Sequence, residues 1–428
     1  MNIDRRKFLL CASASGLLGL APATLALGAA QQLGKRAKPP RVVIVGAGFG
    51  GATAAKYLRL WSERKIEVLL LERQQNFISC PMSNTVLGGS RNMGDITLSY
   101  DDLSKKYGIQ RITAEVTGVN AEKRSVRTAR GDVPYDRLIL APGIDFLFDQ
   151  IAGLDAALAE TQLPHAWKAG AQTALLRKQL EAMPDGGVYL LSIPKAPYRC
   201  PPGPYERVCQ VAFYFKQHKP KSKIIVLDAN PDITSKKGLF LKAWNELYPG
   251  MIDYRPNAQV IQVDAKTRTA TTEFDAVKAD VLNVLPPMRA GKAAELAGVV
   301  NVDQRWCAVN FLSYESTARP NIHVIGDAVA AGLPKSGHMA TSQAKVTAAA
   351  IIELLAGNQP DADPVLANTC YSMVSDKAAM HVANVFRYNK DTKQMVAAEG
   401  GGVSDKHSDT EGSYAKYWAQ NIWSDALR

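Results

Sequence analysis

From residue 41 onward, short β-branched runs alternate with longer Ala- and Leu-rich stretches, the pattern of strands alternating with helices. Arg41 to Val45 reads as a buried strand, the Ala-rich stretch that follows to Arg59 reads as a helix, and Val68 to Leu71 is a second strand. Tyr135 to Gly143 and Asn321 to Ala328 each read as a strand running into a turn of small residues. Between them the order repeats, with a strand over Val188 to Ile193, a helix from about Tyr205 to Gln217 and a strand over Ile224 to Leu227. From about residue 360 a more polar unit begins, holding Cys370, Trp418 and Trp423, with a flexible loop at Gly400 to Gly402. The predicted fold class is α/β: two Rossmann-like dinucleotide-binding domains plus a smaller C-terminal α+β domain.

The amino-terminal pattern is different. Arg5, Arg6 and Lys7 precede an uncharged run from Phe8 to Ala30, with small residues at Gly28 and Ala30 that suit a signal-peptidase cut. This reads as a twin-arginine export signal over residues 1–30, and predicts a periplasmic protein. A membrane anchor is the competing reading of the same run, and Cys11 is a weak lipobox candidate. No later segment offers the roughly 18 uncharged apolar residues that a spanning helix needs, so no membrane span is expected after signal removal.

Charge and cysteine usage narrow the class. The net charge of +11 is scattered in small groups such as Lys216, Lys219, Lys221 and Lys223. Without an aromatic-basic stripe these read as solvated faces or a docking surface for an acidic protein, and no nucleic-acid partner is expected. Of six cysteines Cys11 leaves with the signal, and the remaining Cys80, Cys200, Cys209, Cys307 and Cys370 are odd in number. In an oxidising compartment at least one is then free or bonded to something else. No spacing resembles a zinc site, and no metal is expected.

The first strand, turn and helix carry the first chemistry. Gly46, Gly48 and Gly51 form G-x-G-x-x-G, and Glu72 follows the third glycine by 21 positions at the end of the second strand. Gly46 permits the tight turn, Gly48 lets backbone approach a pyrophosphate, and Gly51 allows close helix–strand packing; Glu72 can accept bonds from a ribose diol. Tyr135 to Gly143, with Ala141 and Gly143 in its turn, and Asn321 to Ala328, with Gly326 and Asp327, resemble the remaining FAD motifs of two-dinucleotide-domain, glutathione-reductase-like flavoproteins. The resemblance implies a split FAD-binding domain, 39–153 with 291–360. Residues 154–290 then form a second NAD-like domain, and 361–428 the C-terminal domain. In that second domain the turn from Ser192 to Glu206 carries five prolines instead of a glycine fingerprint. Proline has no N–H to cradle a pyrophosphate, so NAD(P)H is not expected to bind.

From residue 41 to its end the chain resembles the flavoprotein subunits of flavocytochrome c sulfide dehydrogenase, within the sulfide:quinone oxidoreductase superfamily. The resemblance is carried by Cys80-Pro81-Met82-Ser83-Asn84, by Y-R-C-P-P-G-P-Y-E from Tyr198 to Glu206, by K-S-G-H-M-A from Lys335 to Ala340 and by N-T-C-Y from Asn368 to Tyr371. It implies that Cys80 holds FAD covalently through a thioether to the flavin 8α carbon, which accounts for the odd count. It also implies that Cys200 and Cys370 form a redox-active disulfide over the flavin. Cys209 and Cys307 are left open between a second bridge and free buried thiols. Glu206 matches a glutamate near the flavin and is a candidate for proton transfer, a helix N-terminal carboxylate being the other reading. The segment holding Lys335, Gly337 and His338 is expected to start a helix whose N–H groups face the flavin pyrimidine, with His338 structural rather than a base. Trp418 and Trp423 are expected to pack in a core, stacking near the flavin or a partner being the other reading.

The implied activity is periplasmic oxidation of hydrosulfide to sulfur or polysulfide. Hydrosulfide is an anionic, soft nucleophile near neutral pH and attacks a disulfide without a strong base. Attack on the bridge gives a persulfide on one cysteine, which of the two being open, and leaves two electrons for the flavin. A c-type cytochrome subunit, dihaem in the family pattern, is the implied electron acceptor, and with no C-x-x-C-H in this chain the haem c belongs to that partner. Three other readings stand beside this one, among them an NADH-dependent disulfide reductase, which the proline-rich turn and the lack of a C-x-x-x-x-C motif after the first fingerprint helix disfavour. A sulfide:quinone oxidoreductase would want an apolar amphipathic C-terminus, which the polar stretch from Tyr414 to Arg428 does not offer; a non-catalytic exported flavin relay would need no dithiol.

Overall fold

The computed structural model describes residues 28–35 and 37–428, so the twin-arginine motif and Cys11 lie outside the described residues. The Arg41–Val45 run forms β1, α1 spans Phe49–Trp61, and β2 spans Glu67–Glu72. β3 (Gln110–Thr113) and β4 (Arg137–Leu140) follow. The chain then passes through β5 (Val188–Ile193), α2 (Gly203–His218), β6 (Lys223–Asp228), α3 (Lys237–Leu247), β7 (Ile252–Arg255) and β8 (Val281–Val284). It returns through β9 (Val309–Asn310), β10 (Glu315–Ser316), β11 (Ile322–Val324) and α4 (Gly337–Ala356). It ends in β12 (Val365–Met373), β13 (Ala379–Asn389), β14 (Gln394–Ala397), β15 (Gly402–Val403) and α5 (Asp409–Leu427).

The first sheet has the order β9-β10-β11-β4-β1-β2-β3 and is parallel from β11 through β3. Its strands come from both sides of the intervening segment: Leu138 of β4 pairs with Ile322 of β11. A second, all-parallel sheet has the order β7-β6-β5-β8. The chain crosses between the two sheets on an antiparallel pair, Ile144–Phe146 with Met288–Ala290. The C-terminal unit is an antiparallel sheet in which β13 pairs with β12, β14 and β15, with α5 packed against it.

Buried β-branched residues explain the centre of the first sheet, since Val42, Val43 and Ile44 are fully enclosed as a parallel strand covered on both faces requires. Small residues on α1 let it approach α4: a Cβ at Gly50 would touch the Ile325 side chain at 3.2 Å and the Ala340 Cβ at 3.6 Å. α4 starts at Ser336, whose hydroxyl accepts the Met339 N–H, and stops at Gly357 in the left-handed region (φ 88°).

The C-terminal stretch that looked merely polar is a 19-residue helix, α5. Ala415, Ala419, Ile422, Trp423, Ala426 and Leu427 are buried along it, a periodicity hidden in sequence by the polar residues between them. Lys56 of α1 donates to the carbonyls of Ser424 and Asp425 in the last turn of α5, where a cation favours the negative end of the helix dipole. The Tyr57 hydroxyl donates to Asp425 at 2.6 Å.

Two expectations need correction. The Gly400–Gly402 loop is shorter than predicted, because Gly402 pairs with Ala383 as part of β15. Among the scattered lysines, Lys219 is buried and donates to the carbonyls of Glu181 (2.8 Å) and Met183, closing a turn instead of presenting charge to solvent. No helix among the described residues is long and apolar enough to cross a membrane.

Gly412 lies where α5 passes the Lys377 carbonyl, and a Cβ there would sit 1.5 Å from that oxygen. Gly412→Ala is therefore expected to destabilise the protein by about 1–3 kcal/mol or more. Gly402→Ala, with nothing within 4 Å of its Cβ position, should change little. Thermal or urea unfolding of the two variants beside the parent checks both.

Candidate active site

The glycine turn after β1 is built by steric exclusion. Gly46 is left-handed (φ 93°), and a Cβ there would lie 2.4 Å from the Ala141 carbonyl oxygen. At Gly51 a Cβ would lie 1.8 Å from the Gly46 oxygen, whereas the Cβ position of Gly48 is open for 4 Å. The turn thus closes on itself and leaves one face free for a phosphate. Glu72 accepts the N–H of Ala47 at 2.8 Å and that of Gln74 at 2.9 Å, which fixes the carboxylate beside the turn. Ala141 and Gly143 follow the end of β4, and Gly326 (φ 76°) and Asp327 follow β11, so all these groups collect at the carboxyl ends of neighbouring parallel strands.

Asp327 supplies a direct test of fit for a flavin nucleotide. Its Oδ1 is buried and has no partner among the described residues. Burial pushes its carboxyl up, against the pull of Arg199 and Lys335. A buried acceptor without a donor is costly, and the hydroxyls of a ribityl chain are donors of the kind it lacks.

Beyond these strand ends lies a cavity bordered by segments from all three units. Cys80, Cys200 and Cys370 all border it, as do Glu206, Lys335, Gly337, His338 and Trp418. Cys200 and Cys370 are 170 positions apart in sequence, and both are free thiols here. Cys200 is left-handed (φ 58°), its N–H donates to the Lys335 carbonyl at 2.8 Å, and its carbonyl accepts the Gly203 N–H at 2.8 Å. A Cβ at Gly203 would meet the Cys200 sulfur at 2.8 Å and the Trp167 ring at 2.9 Å, so glycine is the residue that lets this turn hold its sulfur. Cys370 is buried on β12.

Glu206 lies in the first turn of α2, partly buried at the border of the cavity. One oxygen accepts the Met373 N–H at 2.8 Å and the other accepts the Asn84 side-chain amide at 2.8 Å. Burial pushes its carboxyl up, opposed by those two donors and by Lys236 and Arg207. Burial also pushes both thiols up; Cys370 and Glu206 add to the rise at Cys200, while Lys236 opposes the rise at Cys370. Lys335 is lowered to about 8 by burial, and its ammonium donates to the carbonyls of Asp327 and Val329 over the Trp306 ring. His338 accepts the Thr369 N–H through Nδ1 at 2.9 Å, a bond that ties α4 to β12.

Several groups escaped the sequence reading. Lys236 is buried and bonds the Cys370 carbonyl (3.1 Å) and Ser372 hydroxyl (2.8 Å), yet in sequence it is one of a Lys-Lys pair that looks solvated. The buried Arg207 guanidinium bonds the carbonyls of His165 and Ala166 and the side chains of Asn283 and Asn84, and lies over the Trp167 ring. Trp418 borders the cavity while also packing against the main core, and its buried N–H has no partner among the described residues. Trp423 packs as well, donating to the Ser79 hydroxyl at 2.8 Å. Cys209 and Cys307 occupy different surroundings, Cys209 accepting the Trp244 N–H at 3.2 Å and Cys307 lying near Lys335.

Comparison with known proteins places this geometry. Residues 173–286 match the central-region profile of the sulfide dehydrogenase [flavocytochrome c] flavoprotein chain, and residues 362–427 match the flavin-binding profile of flavocytochrome c sulphide dehydrogenase. Residues 40–173 match the pyridine nucleotide-disulphide oxidoreductase profile. A sulfide dehydrogenase [flavocytochrome c] flavoprotein chain from Chlorobaculum thiosulfatiphilum is 54% identical over 46 residues, which are 11% of this chain and 94% of that sequence. This chain belongs to the flavocytochrome c sulfide dehydrogenase flavoprotein family. A mitochondrial sulfide:quinone oxidoreductase from Dictyostelium discoideum is 24% identical to this flavoprotein over 75% of the chain and 72% of the relative. The fold is shared with the sulfide:quinone oxidoreductase of Aquifex aeolicus, at a TM-score of 0.71 and 20% identity over 90% of this chain and 92% of that one.

The support beneath the Cys200 turn predicts an acid sensitivity. His165 accepts the Trp167 N–H at 3.0 Å, and burial next to Arg207 lowers the imidazole to about 3. The unfolded chain binds this proton below about 6.5, so folding stability falls as pH drops from there toward 3, by up to about 1.4 kcal/mol per pH unit. In a pH series of urea titrations, His165→Gln of this flavoprotein should lose stability less steeply over that window than the parent.

Proposed function

We propose that this FAD-dependent flavoprotein oxidises hydrosulfide in the periplasm and passes the electrons singly to a c-type cytochrome subunit carrying the haem. The observation that supports this reading is one cavity bordered by Cys80, Cys200, Cys370 and Glu206, in a chain of this family. Residues 39–153 with 291–360 form the FAD-binding domain, 154–290 the central domain, and 361–428 the C-terminal domain. Gly46, Gly48, Gly51 and Glu72 hold the adenosine diphosphate end, and Ala141, Gly143, Gly326 and Asp327 the ribityl region. Cys80 is the covalent attachment point. Bound FAD supplies a two-electron acceptor that releases electrons one at a time.

The chain's own residues do the sulfur chemistry. Cys200 and Cys370 cycle between disulfide and dithiol, and hydrosulfide enters as the nucleophile on the bridge. Glu206, whose carboxyl burial shifts toward the protonated form, exchanges the proton that hydrosulfide brings. The amino terminus of α4, with Gly337 and the Lys335 ammonium behind it, sets a positive potential where reduction adds negative charge. Four of the five prolines lie between β5 and α2 and the fifth, Pro204, in the first turn of α2; proline has no N–H to cradle a pyrophosphate, which favours an electron carrier other than NAD(P)H. A cytochrome is favoured over a membrane quinone because the apolar side of α5 is turned inward against the C-terminal sheet and α1.

Anaerobic stopped-flow absorbance tests the proposal. Sulfide should bleach the flavin of the parent rapidly and leave Cys370→Ser oxidised, while Glu206→Gln should slow the bleaching by about 10²-fold or more. If sulfide fails to bleach the parent while another donor reduces it, the protein is a flavin relay and the proposal falls.

A further inference from the structure

The two active-site sulfurs stand in unequal surroundings. Ser336 caps α4 by accepting the Met339 N–H at 3.1 Å, so its own hydrogen goes to Asn368 Oδ1 at 2.5 Å. Both amide atoms of Asn368 lie within reach of the Cys370 sulfur, Nδ2 at 3.6 Å and Oδ1 at 3.9 Å. The serine bond fixes Oδ1 as the acceptor side of the amide and so orients the nearer Nδ2 as a donor to the sulfur. From the other side the buried Lys236 ammonium grips the Cys370 carbonyl and the Ser372 hydroxyl, holding a cation beside the same residue. Lys236 and Arg199 also draw the Cys200 thiol, Lys236 more weakly than it draws Cys370. The backbone bonds of Cys200 go to Lys335 and Gly203, and among the described residues no donor is bonded to its sulfur. Arg199 stands near it, but the Cys80 sulfur and the Asp327 carboxylate also draw that guanidinium. Cys200 is also the more accessible of the two, Cys370 being buried.

We propose that Lys236 and the Ser336–Asn368 relay make Cys370 the sulfur that departs as a thiolate, so that hydrosulfide attacks Cys200 and Cys200 carries the transferred sulfur. This rests on the reading of Cys200 and Cys370 as the redox pair. The hydrosulfide sulfur forms a bond to the Cys200 sulfur as the Cys200–Cys370 bond breaks. The electron pair of that bond stays on Cys370, and the products are a Cys370 thiolate and a Cys200 persulfide, which keeps the hydrosulfide proton until Glu206 exchanges it in a later step. One negative charge enters with hydrosulfide and one remains, now beside Lys236. The sulfide sulfur is oxidised by two electrons and the bridge is reduced by two. The better-stabilised thiolate is the better leaving group, which fixes the direction of attack. Lys236 touches neither reacting sulfur atom through a bond of its own, and acts as a positioning residue through Cys370.

Two measurements test this on the holoprotein. In the first, oxidised protein is mixed anaerobically with one equivalent of sodium hydrosulfide, quenched rapidly, alkylated and digested. The mass of one added sulfur on the Cys200 peptide is the expected result. The same mass on the Cys370 peptide, with the flavin reduced, overturns the assignment and leaves the sulfide-oxidation reading standing. If neither peptide gains sulfur and the flavin stays oxidised, both fall together.

In the second, the pH dependence of iodoacetamide reaction at Cys370 is followed in the reduced protein. The ionisable groups facing this sulfur are Lys236 from the loop before α3, Glu206 from α2 and Cys200 from the turn before it, with Glu411 of α5 acting on Lys236. Lys236→Met should move the Cys370 midpoint up by about one pH unit, about tenfold less reaction below both midpoints, and Lys236→Arg should restore it. An unchanged profile in Lys236→Met overturns the role of Lys236. Should that variant fail to fold, the sulfur map of the parent still decides the assignment.

Discussion

Everything at the centre of this protein depends on the Glu206 carboxylate, because its two oxygens bond groups from the two other parts of the chain. Asn84 reaches it from the segment that holds Cys80, and the Met373 N–H reaches it from the strand that holds Cys370. Glu206 itself lies six residues after Cys200. One side chain therefore sets the relative positions of three cysteines that come from distant parts of the chain. A buried carboxylate is tolerable only with such donors, and they are backbone and amide groups whose own positions are fixed.

The cavity around it holds charge at low exposure. Arg207 is satisfied by two carbonyls and two amide oxygens, Lys335 by two carbonyls, and Lys236 by a carbonyl and a hydroxyl. These cations are hydrogen-bonded to neutral groups, while the Glu206 and Asp327 carboxyls that act on them are shifted by burial toward their neutral forms. Such an arrangement raises the positive potential in the cavity and suits chemistry in which an anion enters and negative charge remains on sulfur or flavin.

The fold was largely legible because its strands are short β-branched runs bounded by glycine turns, and Val188 to Ile193 was read to the residue. The glycine fingerprint, Glu72 and the Asp327 turn were legible for the same reason: backbone chemistry dictates residue type there. Lys236, Arg207 and Asn368 were not, because a buried cation or amide looks like a surface one until its partners are known. α5 was hidden differently. Gly412, Ala415, Ala419 and Ala426 among its buried positions register weakly as apolar, and its exposed face includes Tyr414 and Tyr417. The role of Trp418 stayed open because nothing local distinguishes an indole that borders a cavity from one that fills a core, and this one does both.

The interrupted first sheet has a consequence for the order of events during synthesis. β4 can align with β1 early, but its other edge waits for β11, and the chain between them must first be made and fold around its own parallel sheet. Asp327 stands immediately after β11 and arrives with it. Long-range parallel pairing of this kind is slow, and it leaves an open strand edge while it lasts. The nucleotide cradle is thus assembled from its two ends in time as well as in space, and a cofactor that clamps both ends would lock in a sheet that the ribosome releases unfinished.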